Sequence, residues 1–246
     1  LNGIPVLCDC ESDTGNIDPA DIINKLSNRS KAIVVTHLCG HPCEMDIIIN
    51  IAKKYKLALI EDCSHAHGSK YKGQKVGTFG DIGCFSLDND KILAAGEGGI
   101  LITNKFELLQ KALLISDFGA RLENEIILPE YKIYSDTGLG CKHRISPVSA
   151  VIANEKLKIL DNLIKKRGAK LYYISECLNK IPGIVPPSTK TYVTRGAYFG
   201  YRPSYIGKEL NELDINVFIK VLKAEGMEIR KSSHPPLHHL ALFKKH

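Results

Sequence analysis

Two short apolar runs with a helical segment between them constrain the fold most strongly. Residues 32–36, Ala-Ile-Val-Val-Thr, and residues 57–60, Leu-Ala-Leu-Ile, are continuous apolar runs typical of strands that are buried on both faces. Residues 44–55 place three isoleucines on one face of a helix. A strand, a helix and a second strand predict a parallel pair with a crossover. The fold class is therefore α/β, with a mostly parallel sheet and flanking helices.

The rest of the chain continues this alternation and then changes character. Periodicity predicts a strand at 100–103, a helix at 106–115, a long helix at 147–178, a strand at 197–201 and a helix at 216–224. The long helix is of the kind that connects two domains. We predict a large domain over residues 1–145. Residues 146–246 would then hold the connecting helix and part of a smaller α+β C-terminal domain.

Charge and hydropathy exclude several classes of protein. The net charge of +6 comes from scattered pairs such as Lys53-Lys54, without the interleaved aromatics of a nucleic-acid surface. No apolar run approaches the roughly 20 residues of a membrane-spanning helix, and the start of the chain lacks the regions of a signal peptide. We predict a cytoplasmic protein that binds neither nucleic acid nor membrane. Most of its eight cysteines are expected to be reduced and buried.

Four polar residues occupy positions that favour chemistry. Asp62 ends the second buried strand, where ligand groups gather in open α/β sheets, and His65 follows it. Glycines then punctuate residues 73–99, and among them lie Ser86 and Lys91. An amine for the aldehyde, an acid for the pyridine nitrogen and a donor for the phosphate are what pyridoxal 5′-phosphate (PLP) requires. Taken singly, each residue is more often a cap, a turn or a solvated surface group; the ordered combination indicates a PLP site.

Several motifs occur together in one order and spacing. They are Asn16-Ile17-Asp18-Pro19, Thr36-His37-Leu38-Cys39-Gly40-His41-Pro42, Ile60-Glu61-Asp62-Cys63-Ser64-His65-Ala66-His67-Gly68, Gly80-Asp81-Ile82-Gly83-Cys84-Phe85-Ser86, Lys91 and Gly96-Glu97-Gly98-Gly99. Through these motifs nearly the whole chain resembles the DegT/DnrJ/EryC1/StrS aminotransferases. These enzymes have the PLP-dependent transferase fold of type I and transfer amino groups to keto-sugars and cyclitols. The resemblance thus implies a PLP-dependent transaminase.

The resemblance also implies roles for individual residues. Lys91 would be the catalytic residue, forming a Schiff base with PLP and moving the proton. Asp62 would pair with the pyridinium nitrogen, His65 would contact the ring, and Ser86 would bind the phosphate. The implied partners are an amino donor, glutamine or glutamate, a keto-sugar or cyclitol acceptor, and a second copy of the chain in a homodimer. Lys142 departs from the asparagine that many members use to reach the neighbouring subunit's phosphate.

Two features leave alternatives open. Relatives begin before Leu1 and continue beyond His246, so we expect a chain truncated at both ends; a catalytically impaired binding or dimerisation module is the alternative function. Asp88 and Asp90, close to the lysine, either raise the pKa of Lys91 or face solvent. The terminal histidines at 234, 238, 239 and 246 are interpreted as surface or capping groups.

A metal site is the competing interpretation of one motif. His37, Cys39, His41 and Cys43 alternate in sequence, so their side chains would share one face of a strand. Structural zinc sites, however, usually pair two separated ligand segments, and Gly40 and Pro42 are typical of a loop. We therefore predict no metal.

Overall fold

The computed structural model describes residues 3–196, 198–231 and 235–244. The strands are β1 Ala32–Thr36, β2 Ala58–Asp62, β3 Lys70–Tyr71, β4 Gln74–Lys75, β5 Ile82–Ser86, β6 Gly99–Ile102, β7 Ile184–Val185, β8 Val193–Thr194 and β9 Ser204–Tyr205. The helices are α1 Pro19–Lys25, α2 Met45–Tyr55, α3 Phe106–Ser116, α4 Ala120–Glu125, α5 Pro129–Lys132, α6 Pro147–Leu178, α7 Ile215–Ala224 and α8 Ala241–Lys244.

The main sheet has four strands in the order β1-β2-β5-β6. Strands β1, β2 and β5 run parallel, whereas β6 is antiparallel to β5. Thr36 pairs with Asp62, and Asp62 pairs with Cys84, so three parallel strands end at one edge. The predicted α/β fold with a mostly parallel sheet is confirmed.

One face of this sheet carries the largest core cluster. Ile33 and Val35 of β1 are buried against apolar side chains of α1 and α2, while Val34 between them is 57% exposed. The prediction that this strand is buried on both faces is therefore wrong. A continuous apolar run satisfies either arrangement, and in the structure only alternate residues meet the helices.

Strand β5 was hidden from sequence analysis by its glycines. The sequence predicts tight turns over residues 76–99, yet β5 forms there and pairs antiparallel with β6, which lies at the strand predicted for residues 100–103. A Cβ added at Gly83 would lie 2.5 Å from the carbonyl oxygen of Gly77, which itself has φ +86°. The glycine is therefore required by close backbone approach, although it is a weak strand former.

The other predictions mostly hold. The helices at 106–115, 147–178 and 216–224 appear as α3, α6 and α7, within one residue at each end. The predicted strand at 197–201 is wrong for residues 198–201, which are irregular, and residue 197 lies outside the described residues. Instead, β8 pairs with β3 and β7 pairs with β9.

The cysteines and the helices bear on two further expectations. All eight cysteines are free thiols, but only Cys39, Cys43 and Cys63 are buried, so the expectation that most are buried is wrong. In the part of the chain that the structure describes, every helix is too short or too polar to cross a bilayer.

Candidate active site

The carboxyl edge of the sheet presents Asp62. Its Oδ2 accepts a hydrogen bond from the Thr36 hydroxyl at 3.3 Å, and its Oδ1 accepts one from the Ser64 backbone N–H at 3.0 Å. The hydroxyl comes from the neighbouring strand because the parallel register places residue 36 beside residue 62. These two contacts fix the carboxylate in one orientation and leave it further acceptor capacity.

Ser86 and Lys91 flank a tight turn at the end of β5. The Ser86 hydroxyl accepts a hydrogen bond from the backbone N–H of Asp88 at 3.3 Å, and the backbone N–H of Lys91 donates to the Asp88 carbonyl at 3.0 Å. Next, Ile92 begins a buried run that packs against α6 in a second core cluster. The hydrogen-bonded turn before Lys91 and the packed residues after it therefore fix the backbone position of this half-buried lysine.

An aromatic ring lies between the lysine and a histidine. The His65 imidazole stacks on the Phe199 ring with centroids 4.0 Å apart and planes at 24°. The Lys91 Nζ lies 3.9 Å from the centroid of the same ring. Burial, followed by the positive charge of Lys91, lowers the pKa of His65 to about 4, so this imidazole is neutral at neutral pH.

The acidic residues before the lysine do not pair with it. Among the described residues, neither Asp88 nor Asp90 forms an ion pair with Lys91. Asp90 is exposed and Asp88 is partly buried. Of the two alternatives that the sequence left open, the structure favours solvent-facing carboxylates.

His67 is a functional candidate that sequence analysis passed over. It is 3% exposed, and its Nε2 has no hydrogen-bond partner. Burial lowers its pKa, a hydrogen bond with the backbone of Ser86 opposes this, and the charge of Lys91 lowers the pKa further. The imidazole thus lies against the turn that carries the serine and within the field of the lysine.

The alternative metal site is not assembled. His37 Nδ1 accepts a hydrogen bond from the Cys43 backbone N–H at 3.0 Å, and the His41 ring contacts the Pro42 carbonyl at 2.7 Å. Of the four proposed ligands, only His37 belongs to the group of metal-capable side chains found among the described residues, together with Glu61 and Cys63.

Within the group of His37, Glu61 and Cys63, the Glu61 carboxylate makes hydrogen bonds that stabilise the fold. The Glu61 carboxylate contacts His37 Nε2 at 3.1 Å and accepts three backbone N–H groups of the 77–80 turn at 2.7 Å each. Burial alone would raise the pKa of Glu61, but these hydrogen bonds hold it below its ordinary value. Since N–H groups already satisfy the carboxylate, its role is to anchor the turn beside β2.

Lys142, His238 and His239, which the sequence analysis also considered, make their contacts with residues other than the four site residues. Lys142 is exposed, with its Nζ 4.9 Å from the Phe118 ring centroid. His238 and His239 are exposed and contact each other, with centroids 4.3 Å apart. His234 and His246 lie outside the described residues.

The acid and the histidine lie at or just after the end of β2, and the serine and the lysine lie at or just after the end of the neighbouring β5. The sequence model of the DegT/DnrJ/EryC1/StrS aminotransferase family matches residues 1–246, and the chain belongs to this family.

Named relatives match between two thirds and nearly all of the chain. It is 30% identical over 244 residues to a putative L-glutamine:3-amino-2,3-dideoxy-scyllo-inosose aminotransferase of Micromonospora echinospora, covering 99% of the chain and 57% of the relative. It is 37% identical over 163 residues to GDP-perosamine synthase of Escherichia coli O157:H7, covering 66% of the chain and 43% of that enzyme. The chain therefore spans about three fifths of the length of the first of these relatives.

Solved structures confirm the fold. An aminotransferase from Psychrobacter cryohalolentis superimposes with a TM-score of 0.71 at 34% identity, covering 79% of this chain and 52% of that one. PseC of Helicobacter pylori, an aminotransferase involved in the biosynthesis of pseudoaminic acid, gives a TM-score of 0.84 at 24% identity. That match covers 98% of this chain and 62% of PseC, and it shows likeness of fold alone.

Proposed function

We propose that this chain acts as a PLP-dependent aminotransferase that moves an amino group from glutamine or glutamate to a keto-sugar or cyclitol. The observation that carries the proposal is the slot between His65 and Lys91, which holds a flat ring beside the carboxyl edge of the sheet. The names of relatives, which combine L-glutamine with an inosose cyclitol, support this donor and this class of acceptor.

The residues of the slot fit the proposed cofactor. The Phe199 ring shows that a six-membered aromatic ring stacks on His65 with an amine near its centre. A pyridine ring has the same size and shape. Asp62 supplies a carboxylate with spare acceptor capacity for a protonated ring nitrogen, and Ser86 supplies a hydroxyl at a turn for a phosphate.

PLP, when bound, supplies an electron sink that acidifies the Cα–H bond of an amino acid. In this proposal Lys91 Nζ would hold the cofactor through its aldehyde, and the same amine would move the proton at Cα of the donor. Asp62 keeps the ring nitrogen protonated by its negative charge. His65, neutral because its pKa is about 4, contacts the ring without competing for that proton.

The division of the chain and its assembly are part of the same proposal. Residues 1–145 would form the large domain and residues 146–246 the connecting helix with part of the small domain. At the start of α6, Pro147, Val148, Val151 and Ile152 line an apolar depression, and Val148 and Val151 are 68% and 63% exposed. We propose that a second copy covers this surface in a homodimer.

A second candidate function is favoured by one observation, because Phe199 fills the slot itself. A chain that keeps this ring in place would be a binding or dimerisation module of the same fold, without transaminase activity. The experiment below separates the two candidates.

Covalent trapping tests the proposal. The purified chain is incubated with PLP, reduced with borohydride and digested, and the peptide that gains the pyridoxyl mass is identified. We expect the mass on Lys91, together with a visible absorbance band before reduction. The control K91R should show neither. A chain that stays colourless and gains no adduct at Lys91 would contradict the proposal and support the binding module.

A further inference from the structure

Arg195 is a buried cation without a counter-ion. Its side chain is 7% exposed, its Nη2 donates to the Ser188 carbonyl at 2.8 Å, and its Nε has no hydrogen-bond partner. No aspartate or glutamate in residues 3–196, 198–231 or 235–244 forms an ion pair with it. The guanidinium also lies over the Tyr198 ring, with its Cζ 5.0 Å from the centroid, a contact that offsets only part of the cost of burying a charge without a counter-ion.

The turn at residues 39–40 lies close to Arg195 and to a second arginine, Arg202, whose side chain is exposed at the protein surface. A Cβ added at Gly200 would lie 3.7 Å from Arg202 Nε and 3.9 Å from Cys39 Sγ. A Cβ added at Gly40 would lie 3.5 Å from Arg195 Cγ. The two arginines therefore flank residues 39–40, one inside the protein and one at its exposed rim.

This turn adjoins the proposed cofactor slot. The Cys39 backbone N–H donates to His65 Nδ1 at 3.4 Å, and Gly40 packs against the backbones of both His65 and Tyr198. Tyr198 has a left-handed backbone, with φ 45°, and directly precedes the ring that stacks on His65. The positive field of Arg202 also reaches His65, where it contributes to the low pKa of the imidazole.

We propose that Arg195 and Arg202 bind the α-carboxylate of the amino donor. This rests on the proposed function, in which the donor amine reacts at the slot. The carboxylate is attached to the carbon that bears the amine, so it must lie beside the ring. A planar guanidinium donates two parallel hydrogen bonds to a carboxylate, and the free Nε of Arg195 is one such donor. A phosphate on an acceptor would be separated from the reacting carbon by a sugar ring.

A titration of the cofactor-free chain tests the site directly. The Nε–H signal of Arg195 is followed by NMR and identified by its loss in R195K. L-Glutamine should shift this signal saturably, whereas 4-aminobutanamide, which is glutamine without its α-carboxylate, should not. No shift with L-glutamine, or a shift with UDP alone, would overturn the proposal.

A comparison of donors tests the same site with the cofactor loaded. The loss of visible absorbance is measured against the concentration of L-glutamine or 4-aminobutanamide. We expect R195M and R202M to raise the half-saturating L-glutamine concentration about tenfold, as for the loss of one charged hydrogen bond, and to leave 4-aminobutanamide unchanged. The control R29M, an exposed arginine before β1, should change neither value. An equal effect on both donors, or no effect, would contradict the proposal.

Two features of these experiments distinguish failure of the carboxylate site from misfolding of a variant and from failure of the proposed function. Arg202 is exposed, so R202M carries the test even where R195M fails to fold, which a thermal melt reveals. The NMR titration needs no cofactor. If Lys91 gains no adduct, the proposed function fails, while the response of Arg195 to the carboxylate still decides the anion site.

Discussion

Phe199 and a planar cofactor require the same space beside His65. The ring must leave this position before PLP binds, which costs its stacking with the imidazole and its contact with the Lys91 ammonium. We expect F199A to lower the dissociation constant of PLP about tenfold, the equivalent of one aromatic or cation–π contact. Absorbance titration measures this. F106A, at an exposed aromatic on α3, is the control, and weaker PLP binding by F199A would contradict the competition.

Glu61 is a fully buried residue whose loss should destabilise the fold strongly. E61Q leaves buried donors unsatisfied, and we expect a loss of about 3 kcal/mol in the free energy of unfolding at pH 7. Because the pKa of Glu61 lies below its ordinary 4.5 in the folded protein, its contribution is present above that pH and lost on acidification. Denaturant unfolding should thus show the variant and the parent converging in acid. E130Q, at an exposed glutamate on α5, should match the parent at every pH.

Single residues were predictable where local sequence decides their position. Asp62 was found because a strand end places it at the sheet edge, and Lys91 and Ser86 were found because glycines surround them. Phe199 and Arg195 were not, because only the tertiary fold brings residues 195–199 against residues 39–65. His67 was passed over because its missing hydrogen bond is a property of packing. The structure adds these neighbours, while the chemical roles of the four site residues stay predictions.

At the scale of elements, one polar cluster joins distant segments. Lys190 donates to Glu44 at 2.7 Å, and Glu44 also accepts from the hydroxyls of Tyr192 and Tyr71. Burial would raise the pKa of Glu44, but these bonds lower it. The start of α2 is thereby tied to the loop before β8.

Removing the cation tests this connection. We expect K190M to reduce the free energy of unfolding by about 1 kcal/mol, the upper range for a partly exposed ion pair. Thermal unfolding at low and high salt measures it, and the loss should be smaller in salt. K158M, which breaks the exposed pair with Glu155 on α6, should leave stability unchanged. An equal effect of both variants would show that Lys190 acts as a surface charge only.

Elements were predictable to the extent that side-chain periodicity alone sets them. The 32 residues of α6 were found at their full length because no internal proline interrupts them. Strand β5 was missed because its glycines are typical of turns. The strand predicted at 197–201 did not form over residues 198–201, because an apolar-aromatic pattern does not by itself provide a strand to pair with. The pairing of β8 with β3 joins segments that are far apart in sequence, and periodicity holds no information on such partners.

At the scale of the whole molecule, the proposed dimer can be tested on α6. A charge in the apolar depression at its start would have to be buried between copies. We therefore expect V151E to weaken self-association about tenfold or more. Sedimentation at several concentrations measures this. K165E, at an exposed position on the same helix, should associate as the parent does. Unchanged association of V151E would place any dimer contact elsewhere.

The four candidate site residues lie close together in the sequence, and this has a consequence for the order in which the molecule folds. Asp62, His65, Ser86 and Lys91 all lie within 30 consecutive residues, on two adjacent strands and the turns after them. Contacts of short sequence separation close small loops and form early, whereas Phe199 and Arg195 arrive only after a long loop has closed. These four candidate site residues would therefore come together first, and Phe199 and Arg195 would cover them last, so that a planar ligand would meet an open slot before folding is complete.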